Sequence, residues 1–148
     1  MSYLSTKTYN HNVGLSCCFR QWRATHSHCS LIHGYSVGFR FVFEADTLDE
    51  RNWVYDFGNC KWIKEYLESM FDHTLVIAAD DPLMADFENL HEQDGCKLLV
   101  MDGVGCEKFS QYVYHYVSAR VENETGGRVK LKSVEVFEHG ANSAIYVG

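Results

Sequence analysis

The chain has 148 residues, which is enough for one domain with a hydrophobic core. Hydrophobic residues make up 46% and charged residues 22%, as in ordinary globular proteins, and no apolar run approaches the roughly 20 residues of a membrane helix. The net charge of −7 disfavours nucleic acid as a partner, because the overall field repels polyanions.

The first half of the chain predicts two strands and then a helix. Residues 7–22 alternate loosely between apolar and polar side chains. Residues 35–44, YSVGFRFVFE, alternate strictly, which indicates a strand with one buried face. Residues 59–71 change to a helical period, with an apolar stripe that includes Trp62, Tyr66 and Met70.

The second half predicts helices first and then a pair of strands. We expect a helix at 81–92 after an Asp-Pro start, a short strand at 97–101, a long helix at 105–121, and strands at 128–137 and 143–147. The apolar phase shifts within 128–137, and a bulge near Lys132-Ser133 would explain the shift.

This order predicts an α+β fold in which helices pack on one face of an antiparallel sheet, within a single domain of residues 1–148. The other face would carry bulky groups such as Phe137 and Tyr146, which favours its burial in an oligomer.

Six cysteines are present, but residues 1–12 lack the basic-then-apolar pattern of a signal peptide. We therefore expect a cytoplasmic protein with free thiols. Each thiol is then either a small buried apolar group, a metal ligand or a catalytic group.

The segment HSHCSLIHGY, residues 26–35, holds three histidines and Cys29 within eight positions. Imidazole and thiolate together suit zinc, so the histidines and Cys29 of this segment are candidate ligands, although the spacing matches no zinc finger. A thiol beside imidazoles is also a candidate nucleophile or base. The alternative is a polar loop with incidental histidines.

Asp72 and His73 end the first predicted helix. A carboxylate can orient an imidazole and raise its basicity, although adjacent residues rarely bond each other directly. The alternative is that His73 simply stabilises the helix C-terminus.

Four other charged residues are candidate ligand-binding groups. Glu138, at a strand end, could grip a guanidine-like edge with two parallel hydrogen bonds, whereas a lone glutamate is otherwise usually solvated. Glu107 opens the second long helix and could merely stabilise its N-terminus. Arg20 and Arg23 could hold phosphate or lie at a solvated strand end. Residues 80–82, Asp-Asp-Pro, are typical of solvated charge.

Five motifs in order resemble the 6-pyruvoyl/6-carboxy-tetrahydropterin synthase family. The segment CSLIHGY (29–35) resembles its motif of Cys, three residues, then His-Gly-His. The others are WVYDF (53–57), like its Asp-Phe motif, FDHTL (71–75), like its Asp-His motif, GCE (105–107), like its Thr-x-Glu, and VEVFEHGANSAIY (134–146), like its closing strand pair. The resemblance covers about residues 14–148.

The resemblance implies the tunnelling fold, a four-stranded antiparallel sheet with two main helices on one face, which forms a barrel by oligomerisation, commonly as a homohexamer. The substrate would be 7,8-dihydroneopterin triphosphate. The product would be 6-pyruvoyl-tetrahydropterin or, with release of acetaldehyde, 6-carboxy-tetrahydropterin, a precursor of queuosine.

Residue roles follow from the same resemblance. Cys29 would be the base that moves side-chain protons. Asp72 and His73 would be its partner groups, reaching across a subunit interface. Glu138 would anchor the pterin, and Glu107 would be a second pterin contact. Phosphate binding by Arg20 or Arg23 is inferred from charge alone.

The zinc site departs from the family pattern. The family holds zinc with three histidines, of which only His33 has a counterpart here, because Tyr35 and Phe19 occupy the other two places. Three outcomes are open: zinc bound by His33 with His28, His26 or Cys18, catalysis without metal, or a changed reaction. Segment 76–104 is also longer than the family's usual connection, so the pocket rim is expected to differ.

Overall fold

A computed structural model describes all residues, 1–148. The chain forms seven strands and three α-helices: β1 (Tyr3–Tyr9), β2 (Leu15–Phe19), β3 (His33–Ala45), α1 (Lys61–Phe71), β4 (Thr74–Ala78), α2 (Met84–Glu92), β5 (Lys97–Met101), α3 (Cys106–Thr125), β6 (Lys130–His139) and β7 (Asn142–Val147). None of the three helices is long and apolar enough to cross a lipid bilayer.

The long strand β3 organises the sheet, whose strand order is β5-β4-β2-β3-β6-β7. Its second half pairs antiparallel with β1 and its first half with β2, while β6 pairs along its other edge. Alternate residues of β3, from Val37 to Ala45, are buried, as its period of two predicted.

The single strand predicted at 7–22 is wrong in extent. Two strands, β1 and β2, take its place, separated by a 3-10 turn at His11–Val13 and by Gly14. Gly14 has a left-handed backbone (φ 80°), which glycine adopts without strain. The turn therefore divides the sequence into two strands that pair with different halves of β3.

Helices α1 and α3 pack on one face of the sheet, as expected. Phe71 of α1 contacts Phe39 of β3 and Phe109 of α3, with ring centroids 5.2 and 5.3 Å apart. All three rings are fully buried, and each such side chain contributes about 2–3 kcal/mol by leaving water. These aromatic contacts join both helices to the sheet in one core.

The predicted four-stranded antiparallel sheet is too small. Strands β4 and β5 extend it to seven strands, and the β2–β4 and β4–β5 pairs are parallel. Helix α2 covers the opposite face at this end, where Leu75, Ile77 and Phe87 form a second small core. Residues Thr74–Ala78 are buried on both faces, so they lack the alternation that marks a half-exposed strand.

The closing strands confirm one local prediction and correct another. Ser133 pairs with Val42 and Leu131 with Phe43, so the bulge falls at Lys132. Tyr146, however, does not lie on the uncovered face of the sheet. Its ring packs 5.0 Å from Tyr114 of α3, on the helix side.

Candidate functional site

Cys29 lies in a 3-10 turn, His28–Ser30, between β2 and β3. The Ser27 hydroxyl begins the turn by accepting a hydrogen bond from the Cys29 amide (3.2 Å). The Gln21 amide donates to the Cys29 carbonyl (2.8 Å), which fixes the turn against the end of β2. The Cys29 thiol is exposed and so is accessible to a ligand.

Three rings form an aromatic cluster beside this turn. Phe19 lies 5.1 Å from His33 and 6.1 Å from Tyr35, and His33 lies 5.4 Å from Tyr35, as measured between ring centroids. His33 Nδ1 bonds the Leu31 carbonyl (2.7 Å) and must be the donor, because a carbonyl only accepts. This bond leaves His33 Nε2 available.

The carboxylates Glu107 and Glu138 lie near this cluster, at the start of α3 and the end of β6. Burial, followed by the charges of Glu138 and Glu107, raises the pKa of Cys106 to about 12. Burial, followed by the charges of Glu138 and Cys29, also raises the pKa of Tyr35. Tyr35 therefore lies near both Cys29 and Glu138, and Cys106 lies near both carboxylates.

Asp72 and His73 form a second group, at the end of α1. The Ser16 amide of β2 donates to Asp72 Oδ1 (3.1 Å), and His73 Nδ1 lies 3.0 Å from the same oxygen. The expectation that these neighbours rarely bond is therefore wrong here. His73 has a left-handed backbone (φ 53°), a sparsely populated conformation for a non-glycine residue.

The environment of Asp72 favours its ionised form. Burial by itself raises the pKa of this carboxyl, but the hydrogen bonds from Ser16 and His73 outweigh burial and hold the pKa below its usual value. The His73 side chain is 83% exposed. An ionised carboxylate thus orients an imidazole that faces outward from the chain.

The two groups lie at opposite ends of β2. Asp72 is bonded to Ser16, near the start of the strand, whereas Cys29 is bonded to Gln21, just beyond its end. Five residues of extended chain span roughly 16 Å at about 3.3 Å per residue. Within one chain the Asp72–His73 pair therefore does not reach Cys29, and its action across a subunit interface stays a prediction.

Neither arginine proposed for phosphate binding is free. Arg20 forms a two-point ion pair with Asp81, from Nε to Oδ2 (2.8 Å) and from Nη2 to Oδ1 (2.6 Å). Arg23 pairs with Asp80 (3.0 Å) at the surface. The interpretation of residues 80–82 as solvated charge is wrong for Asp81, whose side chain is only 1% exposed.

The donor set does not fit zinc within one chain. No three His, Cys, Asp or Glu side chains come together as a metal-binding group. Phe19 and Tyr35 offer no imidazole, and His28 lies on the exposed turn. Cys18 cannot complete the set, because it packs with Leu75 and Ile77 on the other face of the sheet.

Two grooves border these elements. One of about 520 Å³ lies beside Cys29 and is lined by the polar turn residues 25–28, Ser30 and Leu31. A more apolar groove of about 550 Å³ lies between β1 and residues 48–58. The second groove has no imidazole in its lining, whereas His26 and His28 line the first, so the first is the better place for the chemistry, although the Cys29 side chain does not line it.

Sequence reasoning missed Asp81 and Gln21, which both connect to the Cys29 turn. Gln21 Nε2 donates to the Val104 carbonyl (2.7 Å), and Arg20, the partner of Asp81, also donates to the Ser30 carbonyl (3.3 Å). The unusual length of segment 76–104 was the available signal, because this segment supplies both Asp81 and Val104.

Comparisons with known proteins agree with this architecture. The family model described as 6-pyruvoyl tetrahydropterin synthase matches residues 9–148. A 6-carboxy-5,6,7,8-tetrahydropterin synthase from Aquifex aeolicus is 28% identical over 122 residues, which is 80% of this chain and 75% of that protein.

Solved structures show the same fold. An uncharacterized protein from Wolinella succinogenes superposes with a TM-score of 0.80 at 20% identity, over 99% of this chain and 98% of that one. The 6-pyruvoyl tetrahydropterin synthase of Caenorhabditis elegans has a TM-score of 0.63 at 15% identity, over 100% and 95%. Because the family model spans nearly the whole chain, this protein belongs to the 6-pyruvoyl tetrahydropterin synthase family, whose members are lyases.

Proposed function

We propose that this chain is a lyase acting on 7,8-dihydroneopterin triphosphate, giving 6-carboxy-tetrahydropterin or 6-pyruvoyl-tetrahydropterin. The observation that supports this proposal is that an exposed thiol, Cys29, and the half-buried carboxylate Glu138 both lie near Tyr35, in a member of this family. The relative from Aquifex aeolicus, named as a 6-carboxy synthase, favours the carboxy product.

Glu138 anchors the pterin in this proposal, with Glu107 as a second contact. The amino-pyrimidinone edge of a pterin presents parallel N–H donors, and a carboxylate accepts two such bonds side by side. Glu138 is half-buried near Tyr35 and Cys106, whereas Glu107 is exposed, so less water competes for the bonds of Glu138 than for those of Glu107. The carboxylates thereby orient the pterin side chain towards Cys29.

Cys29 moves the side-chain protons. As a thiolate it accepts a proton from a side-chain carbon and, as a thiol, it returns a proton to a neighbouring position. Its exposure on the turn gives the substrate access to sulfur. No step in this proposal passes through zinc. The donor set within one chain argues against the zinc that the sequence led us to expect at His33 and His28, and metal analysis of the purified protein tests that expectation.

A neighbouring subunit completes the site in this proposal. Asp72 holds the His73 ring, which faces away from its own chain, so a second copy can place that ring beside Cys29. The His73 imidazole then exchanges protons with the thiol or the substrate. A homohexamer is the assembly that the family suggests.

Turnover tests the proposal directly. Purified protein is incubated with 7,8-dihydroneopterin triphosphate, with and without added zinc, while triphosphate and acetaldehyde release is followed. We expect release that Cys29→Ala abolishes and that Cys96→Ala, at a cysteine outside the site, preserves. No turnover under either condition, or equal turnover by Cys29→Ala, would refute it.

A second candidate function is a related reaction on another pterin or purine, or pterin binding without catalysis. The replacement of two family ligand positions by Phe19 and Tyr35 favours it. It predicts fluorescence-detected pterin binding that Glu138→Gln weakens, together with no release of triphosphate or acetaldehyde. If Cys29→Ser leaves pterin binding unchanged and no product forms, the protein binds pterin without catalysis. A product that Cys29→Ser abolishes indicates a changed reaction instead.

A further inference from the structure

The turn that bears Cys29 is held through two consecutive carbonyl groups. The Gln21 amide donates to the Cys29 carbonyl (2.8 Å), and Arg20 Nη1 donates to the Ser30 carbonyl (3.3 Å). Arg20 and Gln21 are themselves adjacent, directly after β2. The carbonyl groups of Cys29 and Ser30 are therefore both held by one dipeptide, Arg20-Gln21.

That dipeptide is in turn fixed by the long segment 79–105. Asp81 binds the Arg20 guanidinium at two points, and its Oδ1 also accepts a hydrogen bond from the Leu83 amide (2.8 Å). The Arg20 side chain is only 14% exposed, so this pair is shielded from solvent. The Val104 carbonyl, from the other end of the segment, accepts from Gln21 Nε2 (2.7 Å).

Gly105 leaves space for the second connection. A Cβ at this position would lie 2.6 Å from Gln21 Nε2, and the backbone has φ 108°, which favours glycine. Any other residue would displace the Gln21 amide from Val104. The start of α3 is thus shaped to accept the Gln21 side chain.

We propose that segment 79–105 positions Cys29 for catalysis through two bonded connections, Asp81–Arg20–Ser30 and Val104–Gln21–Cys29. Arg20, Gln21 and Asp81 are positioning residues, since they act on the turn and not on the substrate. The link to catalysis rests on the function proposed above. A displacement of the thiol by about 1 Å is enough to slow a reaction by up to roughly a hundredfold.

Two variants that leave Cys29 in place, Gln21→Ala and Asp81→Asn, test this positioning. Gln21→Ala removes the connection to Val104 from a half-buried surface position, and Asp81→Asn removes the charge that holds Arg20. Asp80→Asn is the matched control, because Asp80 is the exposed neighbour of Asp81 and makes no bond to the turn. Hydrogen exchange of the Ser30 and Leu31 amides is measured by mass spectrometry, alongside melting temperature, kcat and KM.

We expect exchange at Ser30 and Leu31 to accelerate by about tenfold in both variants, and not in Asp80→Asn, while the β3 amides of Gln21→Ala keep their protection. We also expect kcat to fall by about tenfold while KM stays within about twofold, because Glu107 and Glu138, which bind the pterin in the proposed function, are unchanged. Unchanged exchange at Ser30 and Leu31 in folded Gln21→Ala, or acceleration throughout the chain of that variant, overturns the positioning role. If the wild-type protein turns over no pterin, the proposed function fails, and the exchange data still decide whether the segment holds the turn.

Discussion

Histidines at positions 19 and 35 are expected to restore a zinc site that the wild-type donor set lacks. The double variant Phe19→His/Tyr35→His would place three imidazoles, with His33, on one face of the β2–β3 pair. Phe19 lies directly opposite His33 in the strand register, and Tyr35 is two residues further along β3. Side chains in this arrangement are neighbours on the same face.

The ring distances support convergence on a metal ion. With Zn–N bonds of about 2.1 Å and tetrahedral angles, the centroids of three coordinating imidazoles lie about 5 Å apart. The corresponding distances here are 5.1, 5.4 and 6.1 Å. Only a small movement of the ring at position 35 is then needed.

The double substitution changes the free energy of unfolding in two opposing ways. Phe19 is 1% exposed, so a neutral imidazole in its place costs about 2–3 kcal/mol without a metal. Free zinc at a thousand times its dissociation constant returns about 4 kcal/mol. At about 3 °C per kcal/mol for a chain of this size, zinc should raise the melting temperature of the double variant by about 12 °C.

Metal content after gel filtration and melting curves with and without zinc check this expectation. Wild type should contain less than about 0.1 zinc per chain and show no zinc-dependent shift, and Tyr35→His alone should bind weakly, because two imidazoles leave the tetrahedral site incomplete. One tightly bound zinc in the wild-type protein, or a folded double variant that ignores zinc, would refute the reasoning.

Three further predictions follow from the site. Cys29→Ala and Asp72→Asn should each be inactive alone but recover about a quarter of wild-type activity when coexpressed. A shared site needs an intact Cys29 from one chain and an intact Asp72 from its neighbour, and random mixing of the two variants gives about a quarter of such sites. No recovery argues against a shared site. Asp81→Asn should be less stable than wild type by about 3 kcal/mol above pH 5. Arg20 lowers the folded pKa of Asp81, so this stability difference is fully present above the unfolded pKa of about 3.9 and disappears as pH falls through the folded pKa. Urea unfolding of both proteins from pH 2 to 7 measures the difference. A difference that is constant down to pH 2 contradicts the assignment. Burial raises the pKa of Cys106 to about 12, so iodoacetamide at pH 8 should label exposed Cys29 and spare Cys106 in peptide maps.

The sequence predicted the elements whose patterns are local. Strand β3 alternates strictly because one of its faces is buried, and α3 repeats its apolar residues every three or four positions. The bulge at Lys132 was visible as a phase shift in the same pattern. By contrast, β4 is buried on both faces and has no alternation to detect, so the sheet was predicted with too few strands.

The candidate site divides in the same way. The residue types of Cys29, Asp72, His73 and Glu138, and their order along the chain, were readable from sequence motifs. Only the tertiary structure placed Cys29 and Asp72 at opposite ends of β2.

Only the tertiary structure, too, paired Arg20 with Asp81, 61 residues away. A sequence records the chemistry of each side chain and the period of its neighbours, but not which distant segment will neutralise a charge. That choice depends on how the strands between them pair, and here the parallel pairing of β2 with β4 brought the aspartate to the arginine.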